Sequence, residues 1–168
     1  RTSVRRTTPT ARDCRETAIY LLNSNGIWRW VPEKNGLLFC ELADLRSETF
    51  FAAPHLKVAP VHIVYVSNRP RTETLISRLG EGVVEKLRHS AWTPEKLEEM
   101  RTRSMIIDVG AKIQAVYMAA AAMDLSCVAR TGFDAHHVER ILRLQKGESV
   151  VAIQTLGYRP NSILDAIK

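Results

Sequence analysis

The sequence is poor in cysteine and has no long unbroken apolar run. Its three cysteines, Cys14, Cys40 and Cys127, are odd in number and show no C-x-x-C spacing. That argues against a disulfide framework or a zinc site and points to a reducing, cytoplasmic setting. The longest apolar stretch, Ile113 to Met123, is interrupted by Gln114. It is too short for a bilayer span, so it reads as a buried helix and no membrane partner is expected. No signal peptide is visible. The chain opens on Arg1 rather than Met, which leaves a removed leader or a preceding segment open. No internal repeat or low-complexity tract is present. The five histidines have no nucleophile spacing around them, so no catalytic triad is expected. His136 and His137 are adjacent on a predicted helix and point in different directions, which suits a surface better than a metal site.

What is present fits one domain over residues 1–168, since 168 residues with 45% apolar content can bury a real core without staples. A net charge of +6 and a pI near 9.5 favour anionic ligands without naming one. Part of the excess is local, because Arg1, Arg5, Arg6, Arg12 and Arg15 face only Asp13 before Glu16.

Residues 1–15 read as a basic, Thr-rich loop broken by Pro9. Glu16–Asn23 is a predicted strand, followed by a hairpin of Gly26–Val31 and Leu37–Leu42 around Pro32-Glu33-Lys34-Asn35-Gly36. Asp44 is expected to cap a short helix through Phe50, and Val61–Val66 is the best candidate for a central strand. Thr72–Arg88 reads as an amphipathic helix. Thr93-Pro94-Glu95 starts a helix that runs to Asp124, apolar after Ile106, with Gly110 as a possible break. Beyond it the pattern predicts a strand Ser126–Ala129, a helix capped by Asp134 and reaching Leu144, a strand Val150–Leu156 ended by Gly157–Pro160, and a C-terminal tail 161–168 that docks as a small helix.

Three segments carry candidate chemistry. In Arg1-Thr2-Ser3-Val4-Arg5, guanidinium groups and a hydroxyl alternate along an extended segment and can converge on a phosphate; a solvated basic terminus would show the same residues. The loop Arg6 to Glu16 places Pro9, Thr10, Arg12, Asp13 and Arg15 just ahead of a strand, where a rigid loop can hold a polar ligand or simply turn. The third segment, Cys127 to Asp134, ends a strand before a capped helix, and Gly132 there permits close backbone approach to a planar heterocycle or an anion.

The combination of R-x-S-x-R, R-R-T-x-P-T-A-R-D-x-R-E, the hairpin G-I-W-R-W-V-P-E-K-N-G-L-L, D-V-G-A-K-I-Q-A-V-Y-M-A-A-A-A-M-D-L, R-T-G-F-D and V-A-I-Q-T-L-G-Y resembles the flavin-dependent nitroreductase superfamily. Within it the sequence is most similar to the branch of SagB-type dehydrogenases, over Arg5 to Tyr158. The resemblance implies an α+β fold: a mixed, mostly antiparallel central sheet flanked by helices, working as a homodimer. It implies FMN as cofactor, NADH or NADPH as possible electron donor and a small-molecule substrate. Carried over by position, it puts Arg1, Ser3 and Arg5 on the FMN phosphate, ribityl and pyrimidine edge. Pro9, Thr10, Asp13 and Arg15 take the place of a loop that normally presents an amide to the flavin. The turn Ala129, Arg130, Thr131 and Gly132 would lie over the ring system.

Asp13 and Arg15 depart from the family pattern. The first two motifs nearly touch here, where the family separates them by a largely helical stretch, so the chain reads as shortened at its N-terminus. The resemblance gives a hydride-transferring oxidoreductase with the chemistry carried by flavin and no protein catalytic residue. The departures keep a flavin-free binding or scaffold subunit as the alternative. A basic nucleic-acid-associated protein ranks last, because no aromatic stacking motif or recognition helix accompanies the charge.

Overall fold

The computed structural model describes residues 7–11, 15–50, 59–70 and 93–158. The predicted helix Thr72–Arg88 and the tail 161–168 lie outside them. Among the described residues six strands form one sheet: β1 (Thr17–Asn23), β2 (Gly26–Val31), β3 (Gly36–Glu41), β4 (Val61–Asn68), β5 (Leu125–Arg130) and β6 (Glu148–Tyr158). Their spatial order is β3-β2-β1-β4-β6-β5, and every neighbouring pair is antiparallel.

Alternation along the strands divides two cores. Ala18, Tyr20, Leu22, Val64, Val66 and Ile153 face the short helix α2 (Ala135–Ile141), which supplies Val138. Ile63, Tyr65 and Ala152 face the long helix α1 (Pro94–Ala122), which supplies Val109 with Met105, Ile113 and Val116 beside it. With both faces covered, six consecutive residues of β4 are buried, and the strand carries an unbroken β-branched and aromatic run rather than alternation.

Local chemistry explains the boundaries. In the β1–β2 turn a Cβ at Gly26 would stand 2.5 Å from Glu41 O, and its φ of +139° lies where side chains are strained, so only glycine closes this turn. The β2–β3 hairpin runs through a 3-10 turn, Pro32–Lys34, ended by left-handed Asn35. Thr93 accepts from Lys96 N and Pro94 opens α1, as the sequence predicts.

Four expectations need correction. Gly110 does not break α1: the helix is continuous over 29 residues. Asp44 caps no helix; its carboxylate instead accepts from Arg46 N (3.2 Å) and Nε (2.8 Å), and the following 3-10 turn, Ser47–Thr49, starts from Arg46 without a side-chain cap. This is the local side-chain bond by which Asp competes with helix. Helix α2 stops at Ile141, because Arg143 turns left-handed at φ 52°. Strand β6 runs past Gly157 to Tyr158, pairing Gly157 with Ser126.

By length and composition α1 could cross a bilayer, with a mean hydropathy of 1.3 over 18 residues. Its inner face nevertheless packs on the sheet, and Asp108 and Lys112 lie buried there. On the outer face Ile106, Ile107 and Met118 are exposed, as is Met123 just past the helix.

Candidate functional site

The segment before β1 is held by two contacts. Thr10 Oγ1 accepts from Arg15 N at 3.0 Å, which closes the loop on itself. Ala11 N donates to both oxygens of Asp108, at 3.1 and 2.9 Å, which pins the loop to the middle of α1. A charged acceptor is worth roughly twice a neutral one, so one buried carboxylate fixes where the segment lies.

Between this loop, the β2–β3 hairpin and α1 opens a cleft of about 350 Å³. Thr7, Thr8, Thr17, Trp30 and Lys112 line it together with the apolar Ile19 and Ile63. Lys112 is 7% exposed, and its Nζ donates to Asp108 O at 3.1 Å. The cleft therefore combines a desolvated cation, several threonines and apolar side chains, a residue set for an anionic or polyhydroxylated ligand with a planar part.

Behind the cleft the polar groups satisfy one another. Tyr65, fully buried, donates to Gln154 Oε1 at 2.6 Å, and Gln154 Nε2 donates to Ile113 O (3.2 Å) and Cys127 Sγ (2.9 Å). Burial pushes the Tyr65 phenol and the Cys127 thiol up, so both stay neutral near pH 7. Beside the cleft, buried Glu16 accepts from Ser67 Oγ at 2.9 Å and pairs with Arg101, which also grips Glu98. This network ties the start of β1 to the first turns of α1.

The second candidate region follows β5. Ala129 N donates to Tyr117 OH at 2.7 Å. Arg130 turns inward: its guanidinium donates to Thr49 O and Oγ1 and stacks 3.8 Å from the Phe50 ring centre. Burial lowers its pKa to about 10, still far above neutrality, so the group remains a cation. Thr131 and Gly132 are exposed, and nothing lies within 4 Å of where a Gly132 side chain would begin. Packing among the described residues does not demand glycine there, and the backbone is open to approach on their side.

Of the residues singled out from sequence, Arg1, Ser3, Arg5 and Asp13 lie outside the described residues. Thr10 and Arg15 meet each other at the start of β1, next to Pro9. Ala129, Arg130, Thr131 and Gly132 sit at the far side of the sheet. The cleft lining reaches Ile63 and Tyr65 of β4, and β6 alone lies between β4 and β5, so two inter-strand gaps separate the cleft floor from the strand that leads into the turn. At about 4.8 Å per gap that is roughly 10 Å. The sequence reading did not pick out Asp108, Lys112, Tyr65 or Trp30 for the site. The signal for two of them was present: Asp108 and Lys112 are opposite charges four apart in an otherwise apolar stretch, the spacing that puts both on one helix face.

Comparison with solved structures finds the same fold repeatedly. A nitroreductase-type protein from Ralstonia eutropha JMP134 superposes with a TM-score of 0.72 at 21% identity, covering 94% of this chain and 64% of that one. The E. coli microcin synthetase McbBCD complex, solved with truncated pro-MccB17 bound, gives 0.67 at 12% identity, with 95% of this chain and 58% of that one covered. NADPH:FMN oxidoreductase from Vibrio harveyi, complexed with NAD+, gives 0.58 at 18% identity, with 93% and 55% covered. The chain thus spans 55% to 64% of the length of these three. Comparison with curated proteins returns no match. The sequence matches the Nitroreductase family over residues 15–158, and the chain belongs to that family.

Proposed function

We propose that the chain is an FMN-dependent oxidoreductase that passes hydride through the flavin to or from a small organic substrate, and that it works as a homodimer. The cleft carries this reading. FMN joins a phosphate, a polyhydroxylated chain and a flat ring system, and the cleft is lined by the buried Lys112 cation, by Thr7, Thr8 and Thr17 and by Trp30, together with the apolar Ile19 and Ile63. Those residues fit the group. Bound FMN supplies the hydride chemistry, accepting from one partner and giving to another in alternate half-reactions. Lys112 would favour the anionic parts of the cofactor, the threonines would orient its hydroxyls, and Ile19 and Ile63 would keep water from one face.

The homodimer is supported by the outer face of α1. The outer stripe of α1, Ile107, Gly110, Gln114 and Met118, is exposed and mostly apolar. A side chain at Gly110 would meet nothing among the described residues, so the bare backbone there suits close approach by a second subunit.

The test is an absorbance spectrum of purified protein after incubation with FMN and gel filtration, followed by addition of NADH or NADPH. Retained flavin bands that bleach with either donor are expected, and Lys112→Met should weaken FMN about tenfold, the scale of losing one hydrogen bond from a charged group. A colourless protein that takes up no FMN would refute the reading.

A further inference from the structure

The Thr131–Asp134 turn is gripped at both ends by consecutive residues of one 3-10 turn, Ser47–Thr49. Ahead of it, Arg130 donates to Thr49 O at 2.5 Å and to Thr49 Oγ1 at 2.8 Å, with Phe50 under its guanidinium plane. Behind it, His137 Nε2 lies 3.1 Å from a carboxylate oxygen of Glu48, and Asp134 Oδ1 accepts from His137 N at 3.0 Å.

Thr49 is the hub. It is fully buried, its hydroxyl donates to Arg46 O at 2.9 Å, and His62 Nδ1 stands 3.0 Å away. A hydroxyl has one proton to give, so towards the Arg130 guanidinium, which only donates, Thr49 Oγ1 accepts. Arg130 itself ends β5 on the sheet face that elsewhere carries Val64, Val66 and Ile153. An aliphatic side chain would fill that position without the cost of desolvating a cation. A guanidinium offers instead a rigid fork and a stacking plane, which fix orientation as well as position.

We propose that Arg130 is a positioning residue: through Thr49 and Phe50 it holds the open backbone of Thr131 and Gly132 at the distance and angle needed to face the flat ring of the cofactor, with Glu48–His137 as the second arm of the same brace. This rests on the flavin reading above and adds to it how the turn keeps its place. Arg130 therefore acts through the backbone that follows it and not by touching the ligand.

Three variants of the whole chain, Arg130→Met, Arg130→Lys and Thr49→Val, test this with three readouts. These are amide hydrogen exchange at residues 131–134 without FMN, FMN affinity from quenching of flavin fluorescence, and the midpoint potential of bound FMN. Arg130→Met and Thr49→Val should each speed exchange in the turn about tenfold, leave β1 and α1 amides unchanged, weaken FMN by a similar factor and shift the potential. Arg130→Lys should not restore the parent values, because an ammonium has no planar fork. Unchanged exchange in both Arg130→Met and Thr49→Val overturns the brace. Faster exchange with parental affinity and potential overturns the positioning role. If the parent chain takes up no FMN, the flavin reading fails and the ligand half of this proposal with it, while the exchange result decides the brace alone. Should Arg130→Met not fold, Thr49→Val, nearly isosteric, decides in its place.

Discussion

Replacing Asp108 by Ala removes the acceptor that both ends of its carboxylate present to Ala11 N, at 3.1 and 2.9 Å, from a site only 7% exposed. A hydrogen bond to a charged group contributes about 1.5–3 kcal/mol net, and here it is the contact that joins the loop of residues 7–11 to α1. Taking ~2 kcal/mol, and roughly 2–4 °C of melting temperature per kcal/mol for a domain of this size, Asp108→Ala should lower Tm by roughly 4–8 °C. Asp108→Asn keeps one oxygen able to accept and should lose about half of that. Because Thr7 and Thr8 on the same segment line the cleft, FMN affinity should fall in the same order. Calorimetric melts of the three proteins, with amide exchange at Ala11, measure the effect. A Tm for Asp108→Ala within a degree of the parent, or an Asn variant as damaged as the Ala variant, would refute the assignment of the effect to this bond.

Tyr65→Phe leaves Gln154 Oε1 without its 2.6 Å donor and should cost about 1–2 kcal/mol, seen as a lower urea midpoint at unchanged slope; a variant as stable as the parent counts against it. Met118→Glu places a charge on the exposed apolar stripe of α1 and should convert dimer to monomer in sedimentation, with loss of FMN; a parent that is already monomeric sinks the dimer. Hydrogen bonding from Arg101 holds the Glu98 carboxyl below the usual carboxylate range. Its stabilising contribution is therefore full above the unfolded pKa of about 4.3 and lost as pH falls through the lower folded value. The stability gap between parent and Glu98→Gln should be present at pH 6 and close on acidification below the carboxylate range. A gap constant across that range would contradict the sign.

Much of the fold was legible because local rules and burial agree. Glycine at 26, proline at 94 preceded by threonine, and the unbroken apolar run of β4 each follow from one physical requirement, and each stands where the sequence puts it. The misses have physical reasons too. Asp44 and Gly110 were read by propensity, and context decided otherwise: an arginine two residues on captured the aspartate, and a long helix packed on a sheet absorbed the glycine. In the site, Thr10 and the 129–132 turn were found as loops next to strand ends, whereas Lys112 and Asp108 were passed over because helical charges are usually solvated. Arg130 was read only as part of the turn that would lie over the ring system. Only tertiary structure shows Thr49 and Phe50 waiting beneath it, since they lie eighty residues away in sequence.

Helix α1 brings these threads together, because it buries two charges within its apolar inner face and leaves large apolar side chains on its outer one. Asp108 and Lys112 face inward at 7% exposure each, while Ile106, Ile107 and Met118 face outward at 54%, 69% and 66%. A lone soluble subunit would gain by the opposite arrangement, since a buried charge costs several kcal/mol unless paired and exposed apolar area forgoes about 25 cal/mol per Å². Of the inward charges, Asp108 clamps the loop before β1, and Lys112 donates to Asp108 O and lines the cleft. The outward stripe is the face on which the proposed homodimer would close. One helix thus carries both requirements of the proposed function, an anion-favouring cleft on one side and a twofold seam on the other, and a charge placed in the stripe should disturb both together.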